Sequence, residues 1–185
     1  MKRILLALFV LLFVSGCVDK KRVLNIQNEG LCSAPVATIY LNDIEVKNGD
    51  ESFHISKEEI RDALTVSLKA TKCFRVSIDK RDKESLNVEN EYLLDTKAAL
   101  FREKEISEKN IFKKEIKELL SMTISVYAYN KSKDVSATTK SELVINKSKI
   151  LGFTTTPEQE SDKKMILTNA AKKISILLKK GFDKL

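Results

Sequence analysis

Three cysteines and one histidine are the residues of this 185-residue chain best suited by type to carry chemistry. Cys17, Cys32 and Cys73 lie in separate stretches, and His54 stands alone between Phe53 and Ile55. A structural zinc site draws its ligands from several thiolates and imidazoles. This spacing supplies no such set, so no metal is expected and His54 reads as an ordinary loop residue. A nucleophile–base pair would have to use the same histidine, and no Gly-x-Ser-x-Gly elbow accompanies it. Five glycines in the whole chain leave no phosphate-cradling loop. Carboxylates are plentiful, and counting alone does not exclude a glycosidase pair. They fall mostly on the outward phases of the elements described below. No catalytic residue is assigned, and neither an enzymatic activity nor a cofactor is expected.

The opening residues carry a different kind of chemistry. Lys2 and Arg3 precede an unbroken apolar run, Ile4 to Val14. A membrane-spanning helix needs about 20 such residues, so the run is too short for a permanent span. A positive start, an apolar centre and small residues at the end form the layout of a secretory signal. Its end, "FVSGC", resembles the bacterial lipobox. That resemblance implies that Cys17 receives a diacylglyceryl thioether, becomes the first residue and is then acylated on its amine, with chains such as palmitate. Each buried lipid methylene contributes about 0.8 kcal/mol, so two or three chains anchor a protein without spanning the bilayer. In enterobacterial lipoproteins, Asp directly after the lipidated cysteine favours the inner membrane. Here Val18 holds that place and Asp19 follows it. The expected address is the periplasmic face of the outer membrane, with the inner membrane left open.

Two of the 33 Lys and Arg residues fall within residues 1–16, so 31 remain against 26 acidic residues, a net +5. In the periplasm that excess points to lipid headgroups, lipopolysaccharide phosphates or an acidic protein, not to nucleic acid. Most of it reads as solvated surface. The expected organisation is a signal peptide over 1–16, a lipidated cysteine and short tether over 17–34, and one domain over 35–185. As a coil the tether would reach about 25 Å, and it carries Lys20, Lys21 and Arg22.

Within the domain, "PVATIYLNDIEV" is β-prone and Pro35 suits its start. "ISKEEIRDALTVSLKAT" predicts a helix opened by a Ser56/Glu59 capping box and an Ile55/Ile60 staple. Its buried stripe is Ile60, Ala63, Leu64, Ser67 and Leu68. "CFRVSID" alternates as a short strand. Strand–helix–strand favours a parallel pair joined by a crossover. Parallel neighbours start at one sheet edge about 4.8 Å apart, and a disulfide needs Cα atoms within roughly 4.4–6.8 Å. Cys32 and Cys73 therefore either pair or remain two small buried thiols.

Residues 80–90 predict a loop or a short helical turn. Tyr92, Leu94, Thr96, Ala98 and Leu100 share one strand face, and "SEKN" predicts a turn. Residues 111–120 fit either a helix or one face of a strand running on through "MTISVYAYN"; strand or irregular chain is the expectation. "NKSKD" predicts a turn, and Val135, Ala137, Thr139, Ser141, Leu143 and Ile145 lie in phase on a further strand. Thr156, Pro157 and Gln159 predict the cap of a closing helix. Its buried stripe is Ile166, Leu167, Ala170, Ala171, Ile174, Leu177 and Leu178, with Gly181 at its end. Lys163, Lys164, Lys172, Lys173, Lys179 and Lys180 are left for solvent. Asn130 and Asn146 of the two Asn-x-Ser triplets read as turn residues, not glycan acceptors.

"IRDALTVSLKATKCFRVSID" resembles a segment shared by three envelope groups: the curli-secretion lipoprotein, the lipoprotein activators of penicillin-binding proteins, and the amino-terminal domain of the Tol-system propeller protein. "LLSMTISVYAYNKSKDVSATTKSEL" resembles their later hairpin. The resemblance implies an α/β (α+β) sandwich: a mixed sheet with a parallel strand–helix–strand start, an antiparallel meander and a packed C-terminal helix. It also implies binding to an envelope protein, of unknown identity, rather than catalysis. The curli-type pore is not expected, because "REKEISEKNIFKKEIKE" puts charges on both faces where a bilayer would demand an apolar band. A lipid or lipopolysaccharide carrier, and more remotely a cell-wall hydrolase, are the alternative expectations.

Overall fold

The computed structural model describes residues 32–49, 53–87, 89–110, 113–150, 153–154 and 159–185. Cys17 and the apolar run before it lie outside these residues, as do Thr156 and Pro157 of the expected cap. The elements are β1 (Ala37–Asn48), α1 (Lys57–Ala70), β2 (Phe74–Ser77), a 3-10 turn (Lys83–Ser85), β3 (Glu91–Asn110), β4 (Lys113–Tyr129), β5 (Asp134–Ile150), β6 (Phe153–Thr154) and α2 (Gln159–Phe182). They form an α+β fold with one mixed sheet in the order β2-β1-β3-β4-β5-β6. β1 pairs in parallel with both β2 and β3, and the remaining neighbours are antiparallel.

The two helices cover one face of this sheet, and strand alternation selects which side chains they bury. Tyr92, Leu94, Thr96, Ala98 and Leu100 of β3 are all buried, as are Leu120, Met122, Ile124, Val126 and Ala128 of β4. From the helices come Ile60, Leu64, Leu68, Ile166, Ala170, Ala171, Ile174 and Leu178, joined with the strands in one continuous core. Ala170 and Ala171 have no exposure, so α2 approaches the sheet closely. Gly181 lies against Val135, where an added Cβ would collide with the valine side chain. The glycine therefore serves close packing inside the last turn of α2 and is not a stop signal.

Local chemistry sets the start of α1. The Ser56 hydroxyl accepts from the Glu59 N–H at 3.1 Å, and the Glu59 carboxylate accepts from the Ser56 N–H at 2.7 Å. Ile55 and Ile60 on either side are 2% and 0% exposed, as a staple requires. The same Glu59 carboxylate receives Lys163 of α2 at 2.8 Å, which ties the first turns of both helices together. α1 closes through Thr71 and then Lys72, whose φ of 59° is in the left-handed region. The Cys73 N–H donates to the Thr71 hydroxyl at 3.1 Å, turning the chain into β2.

Four features differ from the sequence reading. "SEKN" is not a turn: β3 runs through it to Asn110, paired residue by residue with β4. Asn146 is not a turn residue: it lies within β5, opposite Lys117 of β4, while residues 113–120 are strand, as expected. Leu177 is 39% exposed and leaves the buried stripe. Ser175 takes the inward place instead, fully buried, with its hydroxyl donating to the Ala171 carbonyl at 2.8 Å. Last, the inward phase of the three long strands ends in charges. Arg102 of β3 donates to both oxygens of Glu118 on β4 at 2.8 and 2.9 Å, and Lys147 of β5 reaches Glu118 at 2.8 Å. These side chains are only 3%, 6% and 4% exposed, and the Phe53 ring lies 5.2 Å from the Arg102 guanidinium. Burial alone would raise the Glu118 pKa. Hydrogen bonds from Lys147 and Arg102, with their charges, hold it below the ordinary carboxylate value.

Cys32 and Cys73 are joined in a disulfide with Cα atoms 4.9 Å apart. It pins the entry of the chain to the turn after α1, where the Cys32 N–H also donates to the Thr71 carbonyl at 3.1 Å. The bridge spans a sequence separation of 41 residues, and loop-closure entropy of that length gives about 4 kcal/mol. Replacing both cysteines by serine should lower stability by roughly that amount, read as a reduced urea midpoint together with a steeper slope, because the uncrosslinked denatured chain is less compact.

Glu118→Gln leaves two buried cations facing a neutral amide. Breaking a buried ion pair in this way costs about 3–5 kcal/mol, so the thermal midpoint should fall by roughly 10 °C. Because the Glu118 pKa is depressed, its contribution is complete above the unfolded carboxylate value of about 4.3 and is lost as pH falls through the lower folded value. Melts of the two proteins should therefore differ near neutrality and converge under acid. A gap independent of pH would contradict this account.

Candidate functional site

The sheet face turned away from the helices is open over most of its area, and one end of it gathers most of the ring and cation chemistry. β1 carries a register shift between Leu41 and Ile44, so Asn42 and Asp43 bulge toward β3. The Asn42 amide donates to Asp95 at 2.8 Å, and the Asp43 N–H donates to the same carboxylate oxygen at 3.3 Å. Asn42 also lies 3.5 Å from the Tyr129 hydroxyl. The bulge thus re-aims two polar side chains onto the open face, a common use of such irregularities.

The segment between β2 and β3 folds over this end. Leu86 packs with Tyr40 and Leu93, against which Tyr129 lies half-buried, in a second small cluster on the open side. Lys131 holds the segment in place by donating to the Glu84 carbonyl. As a result the Arg81 guanidinium sits 5.5 Å from the Tyr40 ring centre, and the Lys83 ammonium 5.7 Å from that of Tyr129. Tyr127 stacks on Tyr129 with ring centres 5.1 Å apart and is itself 44% exposed. Three tyrosines, an arginine and a lysine therefore converge on one patch.

Hydrogen bonding fixes the ionisation of the patch. The Glu91 carboxylate accepts from the Asn87 N–H at 2.8 Å and from the Tyr40 hydroxyl at 3.0 Å, and these bonds hold its pKa below the usual value despite some burial. Burial, and then the nearby Glu91, push the Tyr40 phenol up. Burial and Asp95 do the same to Tyr129. At neutral pH both phenols are donors beside ionised carboxylates.

Next to the patch lies a cleft of about 540 Å³ lined by Leu41, Asn42, Asp43, Arg61, Ile78, Lys80, Arg81 and Asp82. Its origin is topological. β2 ends at Ser77, opposite Tyr40, so from Leu41 onward β1 has no neighbouring strand on that side among the described residues. Three cations and two carboxylates rim the opening, and Ile78 at 67% exposure gives it an apolar lip. A second hollow, of about 320 Å³, runs between α1 and α2, with Ala63, Val66 and Leu167 as floor and Glu59, Lys163 and Glu160 at one end.

Of the residues singled out by sequence, Cys32 and Cys73 come together in the disulfide, Cys17 lies outside the described residues, and His54 is exposed in the approach to α1. Among the described residues no group of three or more His, Cys, Asp or Glu side chains could hold a metal ion. Sequence reasoning did not find the tyrosine patch. Its members are distant along the chain, and the only hint was that Tyr127 and Tyr129 fall on the outward and half-buried phase of a strand whose inner phase is apolar.

No protein-family model matches the chain, and no curated protein sequence matches it. Solved structures do align with it. One is described as a neuraminyllactose-binding hemagglutinin homolog from Helicobacter pylori, with 14% identity and a TM-score of 0.48 over 80% of this chain and 87% of that one. A minor lipoprotein from Acinetobacter baumannii aligns with 12% identity and a TM-score of 0.41, over 80% and 93% of the two chains. Hypothetical protein CT253 from Chlamydia trachomatis aligns with 8% identity and a TM-score of 0.44, over 80% and 99%. At this level the likeness concerns the layout of strands and helices and assigns no activity.

Proposed function

We propose that this protein is a lipid-anchored module of the bacterial envelope that binds another envelope protein and performs no catalysis. The anchor reading rests on the sequence around Cys17: a basic start, a short apolar run, small residues and then the cysteine. No described helix is long and apolar enough to cross a membrane. The Val18–Asp19 order favours the periplasmic face of the outer membrane.

The observation that carries the binding role is the tyrosine patch with its neighbouring cleft. Tyrosine and arginine are enriched among residues that dominate protein–protein affinity, because each brings a large contact area with a polar end. Here Tyr40 and Tyr129 are fixed by hydrogen bonds and packing before any partner arrives, so little ordering entropy is lost on association. Tyr127 and Arg81 are the accessible members. A carrier of lipid or lipopolysaccharide is less well supported. It would need an apolar chamber between sheet and helices, and that interface is filled by side chains with almost no exposure, among them Ile39, Leu64, Met122, Ile124 and Ile174.

A photo-crosslinking side chain placed at Tyr127 in cells should capture one protein in near-stoichiometric yield. The same probe at Lys164, on the helix side, should not. Combining the Tyr127 probe with Arg81→Ala should reduce capture by about tenfold, as expected for loss of one hot-spot side chain. Recovery of only abundant envelope proteins, unchanged by the arginine substitution, would rule the patch out as the partner site.

A further inference from the structure

The end of the molecule where the amino-terminal stretch arrives has a charge pattern of its own. Cys32, the first described residue, is fixed by its disulfide and its hydrogen bond to the turn following α1. Phe74, next to Cys73, meets the Phe182 ring edge-on at 5.4 Å, and Phe182 also meets Tyr92 at 4.8 Å. The end of α2 therefore lies beside the start of β2, just past the turn that closes α1. The two helices run in the same direction, since Glu59 and Lys163 join their first turns. The β4–β5 turn belongs to the same pole: Val135, just after it, abuts Gly181. Both helix ends and this turn thus surround the point where the chain enters the domain.

Exposed lysines crown that pole. α1 contributes Lys69 and the turn after it Lys72, the β4–β5 turn Lys131 and Lys133, α2 Lys180 and the residues after it Lys184. Lys179 is already matched by Asp183 at 2.8 Å. Glu84, Glu89, Glu91 and Asp134 are acidic groups nearby, fewer than these six lysines, so cations are in excess. Part of that excess offsets the negative ends of two helix dipoles, but Lys131, Lys133 and Lys184 lie outside both helices. In the sequence, Lys20, Lys21 and Arg22 follow shortly after Cys17. From Cys17 to Cys32 the chain can reach at most about 50 Å whatever its conformation. Anchoring at Cys17 would therefore hold Cys32, and this pole with it, within that distance of the bilayer.

We propose that this pole is a docking surface for anionic phospholipid headgroups, formed by Lys69, Lys72, Lys131, Lys133, Lys180 and Lys184. The proposal rests on the anchored reading given above. The acyl chains supply attachment. The lysines supply orientation, because each basic residue brought close to an anionic leaflet strengthens its attachment by about fivefold, over a range of roughly one Debye length. Held this way, the long β3–β4–β5 strands point away from the membrane.

The test uses the full-length acylated protein inserted in two kinds of vesicle: phosphatidylcholine alone, and phosphatidylcholine mixed with phosphatidylglycerol. Lysines are footprinted with an amine-acylating reagent and read individually by mass spectrometry, while the mass of the amino-terminal peptide reports the acyl chains. On the anionic vesicles Lys69, Lys72, Lys180 and Lys184 should react several-fold more slowly than on the neutral ones, with the protection lost at high salt. Lys97, Lys140 and Lys164, away from the pole, should react alike on both. Reversing two exposed charges with Lys180→Glu and Lys184→Glu should return Lys69 and Lys72 to their neutral-vesicle rates. An acylated protein whose pole lysines react equally on both vesicles, or whose remote lysines are protected as strongly, overturns the docking surface and leaves the anchor standing. An amino terminus without acyl chains overturns both.

Discussion

Everything in this fold depends on closing one face of a single sheet with only two helices. The inner face is long, because β3, β4 and β5 each run for 17 to 20 residues. Two parallel helices can cover that face only if they sit close to it. Ala98 and Ala128 on the strands and Ala170, Ala171 and Gly181 on α2 allow this approach. Close packing of this kind is sensitive to volume, since a single added methyl group has nowhere to go. The Glu59–Lys163 pair fixes the helices at one end, and the ring contacts of Phe182 with Phe74 and Tyr92 fix them at the other.

Where apolar cover runs out, the inner face changes chemistry instead of stopping. One step past Leu100, one step before Leu120 and one step past Ile145, the inward phase reaches Arg102, Glu118 and Lys147. Diagonal neighbours across two strand pairs then neutralise most of each other's charge. An ion cluster of this type is not in itself strong evidence of stability. It does restrict register, since a one-residue slip of any of the three strands would turn its charge to the other face of the sheet.

Much of this was legible in the sequence. Period-two alternation located the three long strands, the Ser56–Glu59 spacing located the start of α1, and the order of elements predicted a parallel start before the meander. The inward charges were legible too, because each continues the phase of its own strand. They went unread because charged residues are normally outside. "SEKN" misled because its polar residues have the composition of a turn, while cross-strand pairing kept it extended. The tyrosine patch could not be read at all. Tyr40 and Tyr129 meet only through the parallel β1–β3 pairing and the β3–β4 register, and Arg81 joins them only because a loop without periodicity folds back over the sheet.

The outer side of β5 illustrates what short β6 leaves undone. β6 pairs only with Lys149 and Ile150, so a rim of more than a dozen residues has no neighbouring strand among those described. A bare rim of this length invites a second copy to add its own strand. Along it stand Lys133, Lys140 and Glu142, and Lys173 from α2 reaches across to the Lys140 carbonyl at 3.4 Å. Such charged and occupied positions work against copies zipping edge to edge into a fibre.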